Sequence, residues 1–276
     1  MASRNWNHSS RTKDEAPFNQ RTGHKMRQSI AVIGLRLIPN VQGGDNLARI
    51  IVTAARKQRL HLRNGDIVVV AQKIVSKAEG RVVSLSAVRA SAVARKLSRT
   101  MRKDPKLIEV ILRETKRVVR RRGRHLIVQT RHGLVCANAG VDKSNVNGED
   151  AVALLPRNPD RSARRIRTWI RRLTGKEVAV IITDTFGRPW RIGQTNVAIG
   201  LSGMRPWVDY RGAKDMFGYK LSVTMMAIAD ELASAAELVM RKYDRIPVAI
   251  IRGYMYRRTR GSARELVRPA RQDLFR

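Results

Sequence analysis

The chain has 276 residues, 43% of them hydrophobic, so it is long enough to form one large or two small domains around a sizeable core. This composition excludes disorder of the whole chain, and the lack of any apolar run near 18 residues excludes a membrane-spanning helix. The 56 Lys and Arg outnumber 22 Asp and Glu, and the resulting formal net charge of +34 is typical of proteins that bind nucleic acids or other polyanions. The alternative interpretation is that these Lys and Arg residues are spread over solvent-exposed faces and bind no particular partner.

The N-terminal segment, residues 1–29, is polar and has no hydrophobic periodicity. It predicts a flexible basic extension ahead of one folded domain over residues 30–276. It also lacks the apolar stretch of a secretory signal, and Cys136 is the only cysteine, so no intramolecular disulfide can form. Both features lead us to expect a cytoplasmic protein.

The first half of the folded part alternates helical and strand patterns. Asp45 is expected to cap a helix, residues 67–71 form a short apolar strand, and two basic helices are expected over residues 91–101 and 105–119. The Arg120–Arg122 run that follows is interpreted as a solvated connection between elements.

The second half continues the mixture. We expect strands over residues 126–129, 178–183 and 247–251, a helix that starts at Pro159 and ends at Gly175, and a long helix over residues 221–240. Helices and strands in this irregular order predict the α+β class.

Three polar segments each follow an apolar strand, which is where scaffolds often present reactive groups. The first carries Lys73 and Lys77, which could contact phosphate, although two ordinary surface lysines would look the same. The second carries Asp142 among Asn and Ser, and the third carries Asp184 and Thr185 at the predicted end of a strand. Paired carboxylates suit a hard divalent cation bound to phosphates, but Asp is also common in turns for backbone reasons.

Other catalytic motifs are weak or missing from the sequence. No Walker loop, dinucleotide fingerprint, H-E-x-x-H or G-x-S-x-G occurs. His132 and Cys136 could form a nucleophile pair, but a lone Cys in an apolar run is more often a packed core thiol.

The polar segments belong to longer blocks that resemble the coenzyme F420 gamma-glutamyl ligases, the CofE-type enzymes. The matching blocks are VVVAQKIVSKAEGR at 68–81, HGLVCANAGVDKSNV at 132–146, VAVIITDTFGRPWRIGQTNVAIGLSG at 178–203, DYRGAKDMFGYKL at 209–221, VTMMAIADELASAAELVM at 223–240 and PVAIIRG at 247–253. They run in collinear order over about residues 30–276 and leave the N-terminal extension outside the match.

The resemblance implies a GTP-dependent ligase that adds L-glutamate to a deazaflavin coenzyme precursor. It implies an acyl-phosphate intermediate, release of GDP and phosphate, and later rounds that extend a gamma-linked glutamate tail. Mn²⁺ or Mg²⁺ and K⁺ are the implied cofactors. The implied architecture is a CofE-like α+β ligase fold that forms an intertwined homodimer.

The resemblance also implies site residues. Asp142 and Asp184, with Thr185, match metal-binding positions. The positions that match nucleotide contacts are Leu35, Arg36, Leu37, Ile38, Gln72, Lys73, Lys77, Asn145, Met240, Arg241, Lys242, Tyr243, Asp244, Arg245 and Ile246. Lys242 departs from the family pattern because it stands where a relative has a Glu that binds a metal ion. The resemblance implies a second metal ion at the site, and Lys242 puts the coordination of that ion in question. By our own inference, Arg188 and Arg191 would contact anionic substrate groups.

Two alternative functions stay open at this point. One is a nucleic-acid-binding protein built on the same scaffold, which the net charge favours. Against it, aromatic residues make up only 5% of the chain, so few side chains are available to stack on bases. The other is a ligase of the same family that acts on a different acidic acceptor.

Overall fold

The computed structural model describes residues 29–143 and 150–273. The helices are α1 (Leu47–Lys57), α2 (Gln72–Ala78), α3 (Ala92–Met101), α4 (Pro105–Glu114), α5 (Pro159–Thr174) and α6 (Ile228–Met240). The strands are β1 (Ala31–Gly34), β2 (Ile67–Ala71), β3 (Val82–Ser84), β4 (Thr115–Arg122), β5 (His125–Thr130), β6 (Val135–Ala137), β7 (Ala151–Ala153), β8 (Ala179–Arg188), β9 (Arg191–Met204), β10 (Val208–Asp209), β11 (Met225–Met226), β12 (Val248–Arg252) and β13 (Arg258–Thr259). Except for Ser29, the predicted extension over residues 1–29 lies outside the described residues.

A mixed sheet of six strands, in the order β1-β12-β2-β8-β9-β13, forms the centre of the main unit. Strands β2 and β8 are parallel, with Ala71 opposite Thr183, and the other neighbours are antiparallel. The apolar runs of β2, β8 and β12 are buried because both faces of the sheet are covered. Helices α1 and α5 pack on one face, and α6 packs on the other. The structure is therefore α+β, as the sequence predicts.

The residues between β2 and α5 in the sequence form two smaller sheets. Strands β4, β5 and β6 make a three-stranded antiparallel sheet, and β3 pairs with β7. Helices α3 and α4 cover one face of the three-stranded sheet around a separate apolar core that includes Met101, Ile108, Leu126 and Val128.

Residues Asp209–Met226 cluster as a separate unit of the chain. Within it, the Tyr210 N–H donates to Thr224 O at 3.0 Å, and the Gly212 N–H donates to Leu221 O at 2.7 Å. Met216, Phe217 and Tyr219 in this segment are exposed. Within the parts of the chain that the structure describes, no helix has both the length and the apolar character needed to cross a membrane.

The ends of α1 and α5 show how local sequence fixes the helices. Asn46, not the predicted Asp45, caps α1, because the Asp45 carboxylate accepts instead from the Gln42 N–H at 2.8 Å. Helix α5 begins at Pro159 and ends at Gly175, whose φ of 69° is in the left-handed region, as predicted.

Two predicted helices are too long. Helix α4 ends at Glu114, and Arg120–Arg122 belong to strand β4, so the predicted solvated connection there is wrong. The chain turns into a strand because the β-branched residues Thr115, Val118 and Val119 pair or lie beside β5. The long helix predicted over residues 221–240 begins only at Ile228.

Candidate functional site

The three polar segments predicted from the sequence meet at one cavity of about 1240 Å³ in the main unit. Strands β2 and β8 run side by side toward it, so Gln72 and Asp184, which follow the paired residues Ala71 and Thr183, both reach its wall. The turn after β6 brings Asp142, and the segment after α6 closes another side. The sequence left open whether these segments lie close together, and the structure brings them to one cavity.

The local structure of two of these segments differs from the prediction. Residues 72–78 form helix α2 and not a loop, so Lys73 and Lys77 lie one turn apart on the same helix face. Asp184 and Thr185 lie inside β8 and not at its end, because β9 continues to pair with β8 as far as Arg188.

Basic and acidic side chains approach each other closely in the cavity. The Lys73 Nζ lies 2.7 Å from the Asp142 Oδ2, and the Lys77 Nζ donates to the Asn40 Oδ1 at 3.4 Å. Burial, and to a smaller extent the charge of Lys73, lowers the pKa of Lys77. Two ammonium groups, one of them paired with Asp142, therefore line the cavity, which favours an anionic occupant.

The Asp184 carboxyl group has an unusual proton affinity. Burial raises its pKa to about 6, while the Thr185 N–H and the charge of Lys73 oppose that shift. The negative charge of Asp142 raises the same pKa further. The two carboxylates are thus close enough to repel each other, and a cation between them would relieve this repulsion.

A hydrogen-bonded chain continues from Thr185 to helix α6. The Lys242 ammonium donates to the Thr185 Oγ1, which donates to the Asn196 Oδ1 at 2.7 Å. The Asn196 Nδ2 donates to the Glu237 Oε2 at 2.9 Å, and the Lys242 Nζ lies 3.6 Å from the Glu237 Oε1. This network gives Lys242 a set of oxygen partners of the kind that a metal cation also uses.

Most of the predicted site residues line the cavity, but some do not. The residues that line it are Ile38, Gln72, Lys73, Lys77, Asp142, Asp184, Thr185, Met240, Arg241, Lys242, Tyr243, Arg245 and Ile246. Leu35 is fully buried in the core instead, the Arg36 N–H donates to the Gln58 Oε1, and Leu37 is exposed. The Asp244 carboxylate pairs with Arg241 at 3.4 Å.

The two predicted substrate arginines lie apart from the cavity lining. Arg188 and Arg191 are paired at the exposed tip of the β8–β9 hairpin, where the Arg188 Nη2 donates to the Ile192 carbonyl at 2.8 Å. Asn145 lies outside the described residues.

Several polar residues of the cavity wall were not among the site residues predicted from the sequence. Asn40, Asn196 and Glu237 contribute side chains that bond to predicted site residues. Asn196 shares a strand face with Gln194, which also lines the cavity, so a period-2 polar pattern on β9 was the available signal. Glu237 is one of three acids in α6, with Asp230 and Glu231, so its place in the sequence does not point to a site.

The residues available for a metal ion are carboxylates, a hydroxyl and an amide. Among residues 29–143 and 150–273, no group of three or more His, Cys, Asp or Glu is placed to hold a metal ion. Asp142, Asp184 and Thr185 nevertheless put three oxygen-bearing side chains on one cavity wall. Such a set suits a hard cation that takes its remaining ligands from water and from a bound phosphate.

The predicted alternative of a His132–Cys136 nucleophile pair receives no support from the geometry. The His132 Nε2 lies 2.9 Å from the Pro156 carbonyl oxygen and 3.2 Å from that of Arg157. Cys136 is buried, and burial with the nearby charge of Asp184 raises its thiol pKa to about 12. Both properties oppose thiolate chemistry.

We expect Cys136 to resist alkylation in the native protein. With a thiol pKa of about 12, only about one thiol in ten thousand is ionised at pH 8. Iodoacetamide labelling, followed by mass spectrometry, should be at least about 100-fold slower in the native chain than in urea-unfolded chain. Equal labelling rates in the two states would contradict this description of the thiol.

Comparison with known proteins gives a consistent result. The sequence matches the profile of a family described as F420-0:Gamma-glutamyl ligase over residues 34–253. It is 44% identical over 251 residues to the coenzyme F420:L-glutamate ligase of Methanothermobacter thermautotrophicus, covering 90% of this chain and 99% of that protein. Identity is also 44% to the ligase of the same name from Methanocaldococcus jannaschii, over 91% of this chain and 99% of that protein. The Methanopyrus kandleri ligase is 45% identical over 86% of this chain and 93% of its own length.

Proposed function

Because the chain belongs to the F420-0:gamma-glutamyl ligase family, we propose that it joins L-glutamate to a coenzyme F420 precursor through an amide bond, with GTP as the phosphate donor. The reaction would proceed through an acyl phosphate, release GDP and phosphate, and extend a gamma-linked glutamate tail in later rounds. The acceptor is a deazaflavin coenzyme precursor with a free carboxylate.

One observation carries the proposal. Lys73 and Lys77 lie beside Asp142 and Asp184 in a cavity of about 1240 Å³, which is large enough for a nucleotide and a second substrate. Cations that hold phosphate and carboxylates that hold a divalent cation are the two parts that phosphoryl transfer needs. The cavity brings both together on one wall.

The chemistry follows from the poor reactivity of a carboxylate toward amines. A carboxylate oxygen of the precursor attacks the γ-phosphorus of GTP, the bond from that phosphorus to the β–γ bridging oxygen breaks, and GDP leaves. The glutamate amine then attacks the acyl carbon, the carbon–oxygen bond to phosphate breaks, and the amine proton passes to phosphate oxygen. The first step converts a carboxylate oxygen, which is a poor leaving group, into phosphate, and the second step releases that phosphate.

The chain's own residues would bind and orient these groups. Lys77, whose pKa burial lowers, and Lys73 would hold the transferred phosphoryl group as point charges. Mn²⁺ or Mg²⁺, with K⁺ nearby, would neutralise phosphate charge when held by Asp142, Asp184 and Thr185. The Gln72 amide donates to the Ser76 Oγ at 2.6 Å and to the Leu154 carbonyl, which fixes the start of α2 beside the proposed phosphate site.

We expect Lys242→Gln to increase the affinity for divalent metal. The Lys242 ammonium donates to the Thr185 Oγ1, so it places a positive charge where the proposed cation would also bind. Removing this charge should lower the Mn²⁺ dissociation constant about tenfold, or about 1.4 kcal/mol, as measured by electron paramagnetic resonance of free Mn²⁺. Lys176→Gln, at an exposed site, removes the same charge and should leave Mn²⁺ binding unchanged. An equal effect of both substitutions would contradict the assignment.

The central experiment is a complete reaction with purified protein. The precursor, GTP, L-glutamate, Mn²⁺ and K⁺ are combined, and mass spectrometry follows additions of glutamyl units and the release of GDP. Replacing GTP with ATP, or Mn²⁺ with Mg²⁺, tests the proposed nucleotide and metal. No addition under any of these conditions would reject the proposed reaction, and a panel of other acidic acceptors would then test the alternative substrate.

The assembly is part of the proposal as well. We expect an intertwined homodimer of the CofE-like fold, with the active site near the subunit interface. Light scattering coupled to gel filtration should give twice the mass of one chain. A concentration-independent monomer that still ligates glutamate would reject the dimer.

A further inference from the structure

The open face of the three-stranded sheet carries a row of arginines. In an antiparallel sheet, residues that lie directly opposite each other point to the same face. Arg122 is paired with His125, Arg120 with Ile127, and Arg117 with Gln129. Their partners alternate with the buried Leu126 and Val128, so all three arginines are on the face that the helices leave uncovered.

This arginine row is continuous with the wall of the functional cavity. Ile127 is paired in turn with Ala137 on β6, and Ala137 lines the cavity. Neighbouring strands lie about 4.8 Å apart, so the backbone of Arg120 is about 10 Å from that of Ala137 across the same face. The open face therefore leads from the cavity to three guanidinium groups.

Among the described residues, no acidic side chain pairs with this row of arginines, Arg117, Arg120 and Arg122. The acidic residues of α4 are engaged elsewhere, because Glu114 pairs with Arg81 and Glu109 pairs with Arg113. The row thus keeps its positive charge available to a ligand.

Two further cations connect the cavity wall to the helix side of the same sheet. The Lys103 Nζ donates to the Asn138 Oδ1 at 3.1 Å, and Asn138 lines the cavity. Burial and the nearby charge of Arg124 lower the pKa of Lys103, and the Arg124 Nη2 donates to the Arg102 carbonyl. Lys103 therefore adds a positive charge beside the cavity wall near β6.

We propose that the open face of the β4-β5-β6 sheet binds the polyanionic gamma-glutamyl tail as it leaves the cavity. This inference rests on the proposed function, in which each round adds one carboxylate to the acceptor. A chain with one negative charge per added residue fits a row of arginines along one strand, since each guanidinium can pair with one carboxylate. The interaction would strengthen with each added glutamate.

The composition of the face favours a peptide-like polyanion over nucleic acid. Besides the arginines, its paired positions are His125, Ile127, Gln129, Val135 and Ala137. None of these is Phe, Tyr or Trp, the side chains on which single-stranded bases usually stack. The face can therefore pair with charges but offers little to hold bases.

The test uses the full chain and a synthetic gamma-linked pentaglutamate as the probe. Calorimetry at low salt should show binding to the wild type, and Arg120→Gln with Arg122→Gln should weaken it at least about fivefold. The matched control is Arg161→Gln with Arg164→Gln, which removes the same charge from the exposed side of α5 and should leave pentaglutamate binding unchanged. Thermal unfolding of both double variants checks that the fold is retained.

Turnover provides a second, independent readout. In the Arg120 and Arg122 variant, addition of the first glutamate should stay within about twofold of the wild type. The KM for an acceptor that already carries several glutamates should rise at least about fivefold, so mass spectra should show shorter tails. The α5 control should give wild-type tail lengths.

The outcomes separate this inference from the proposed function. Equal weakening in both double variants would overturn it, because the effect would then be one of general charge. Binding of a ten-nucleotide RNA that pentaglutamate fails to displace would also overturn it in favour of nucleic acid. Failure of the wild type to add even the first glutamate would reject the proposed reaction. The binding test is independent of that result, because pentaglutamate binding is measured without turnover.

Discussion

Asp184→Asn is expected to reduce glutamate ligation at least about 1000-fold, which corresponds to about 4 kcal/mol of transition-state stabilisation. The Asp184 carboxyl lies in the cavity, where burial raises its pKa to about 6 and the charge of Asp142 raises it further. Asn has the same shape and removes the negative charge, so the substitution tests the charge and not the packing. Without that charge, the cavity loses one of the two carboxylates proposed to hold the divalent cation.

The measurement combines turnover with metal binding. Glutamyl addition is followed by mass spectrometry, and Mn²⁺ affinity is measured by electron paramagnetic resonance, where we expect a loss of at least about tenfold. Glu265→Gln is the matched control, because it makes the same chemical change and Gln can retain the capping box with Ser262. Activity of Asp184→Asn near that of the control would contradict the metal assignment and leave Asp184 with a structural role.

Some of the fold and the site follows directly from the sequence. Strand β2 has the predicted limits, Ile67–Ala71, and helix α5 begins at Pro159 and ends at Gly175 as predicted. An apolar run, a proline at a helix start and a glycine at a helix end are local signals that depend on few other residues. The sequence also identifies Asp142 and Asp184 as candidate acids after apolar strands, but only the structure shows that both line one cavity. Local signals thus identify the candidate acids, although Asp184 lies inside β8 and not at its predicted end.

The errors arise where tertiary pairing decides the structure. Residues 115–122 have a basic composition that suits either a helix or a connection, and only pairing with β5 makes them a strand. Likewise, β8 continues past Asp184 because β9 pairs with it, and no local signal in residues 184–188 predicts this pairing. The polar network of Asn196 and Glu237 depends on the packing of α6 against β9, which spacing along the chain does not show.

The excess positive charge acquires a more specific interpretation from the same strand pairing. If Arg120–Arg122 were a connection between elements, their side chains would have no defined direction, and no partner could be assigned to their charge. As part of β4, alternate arginines share one face with Ala137 at the cavity. On α5, Arg167 and Arg171 pair with Glu177, and Arg172 lies over the Trp169 ring. Nothing in the structure explains the exposed Arg161 and Arg164.

Gly140→Ala is expected to destabilise the protein by about 3 kcal/mol and to impair the site. Gly140 ends a turn in which Asn138, Ala139 and Gly140 all have positive φ, of 52°, 57° and 71°. A Cβ at Gly140 would lie 2.8 Å from the Cγ and Cδ2 of Leu155. Leu155 is fully buried among core residues, so its side chain has little space to move away. Strain in the left-handed region contributes about 1 kcal/mol, and overpacking contributes about 2 kcal/mol.

Gly123→Ala separates these two contributions. Gly123 also has a left-handed φ, of 54°, in the β4–β5 turn, but an added Cβ there would have no atom within 4 Å. Urea denaturation should therefore show a loss of about 1 kcal/mol for Gly123→Ala and about 3 kcal/mol for Gly140→Ala. Only Gly140→Ala should also weaken Mn²⁺ binding, because the turn that it distorts sets the position of Asp142 two residues later. Equal losses of stability in the two variants, with unchanged metal affinity, would show that Leu155 yields and that this turn does not position the carboxylate.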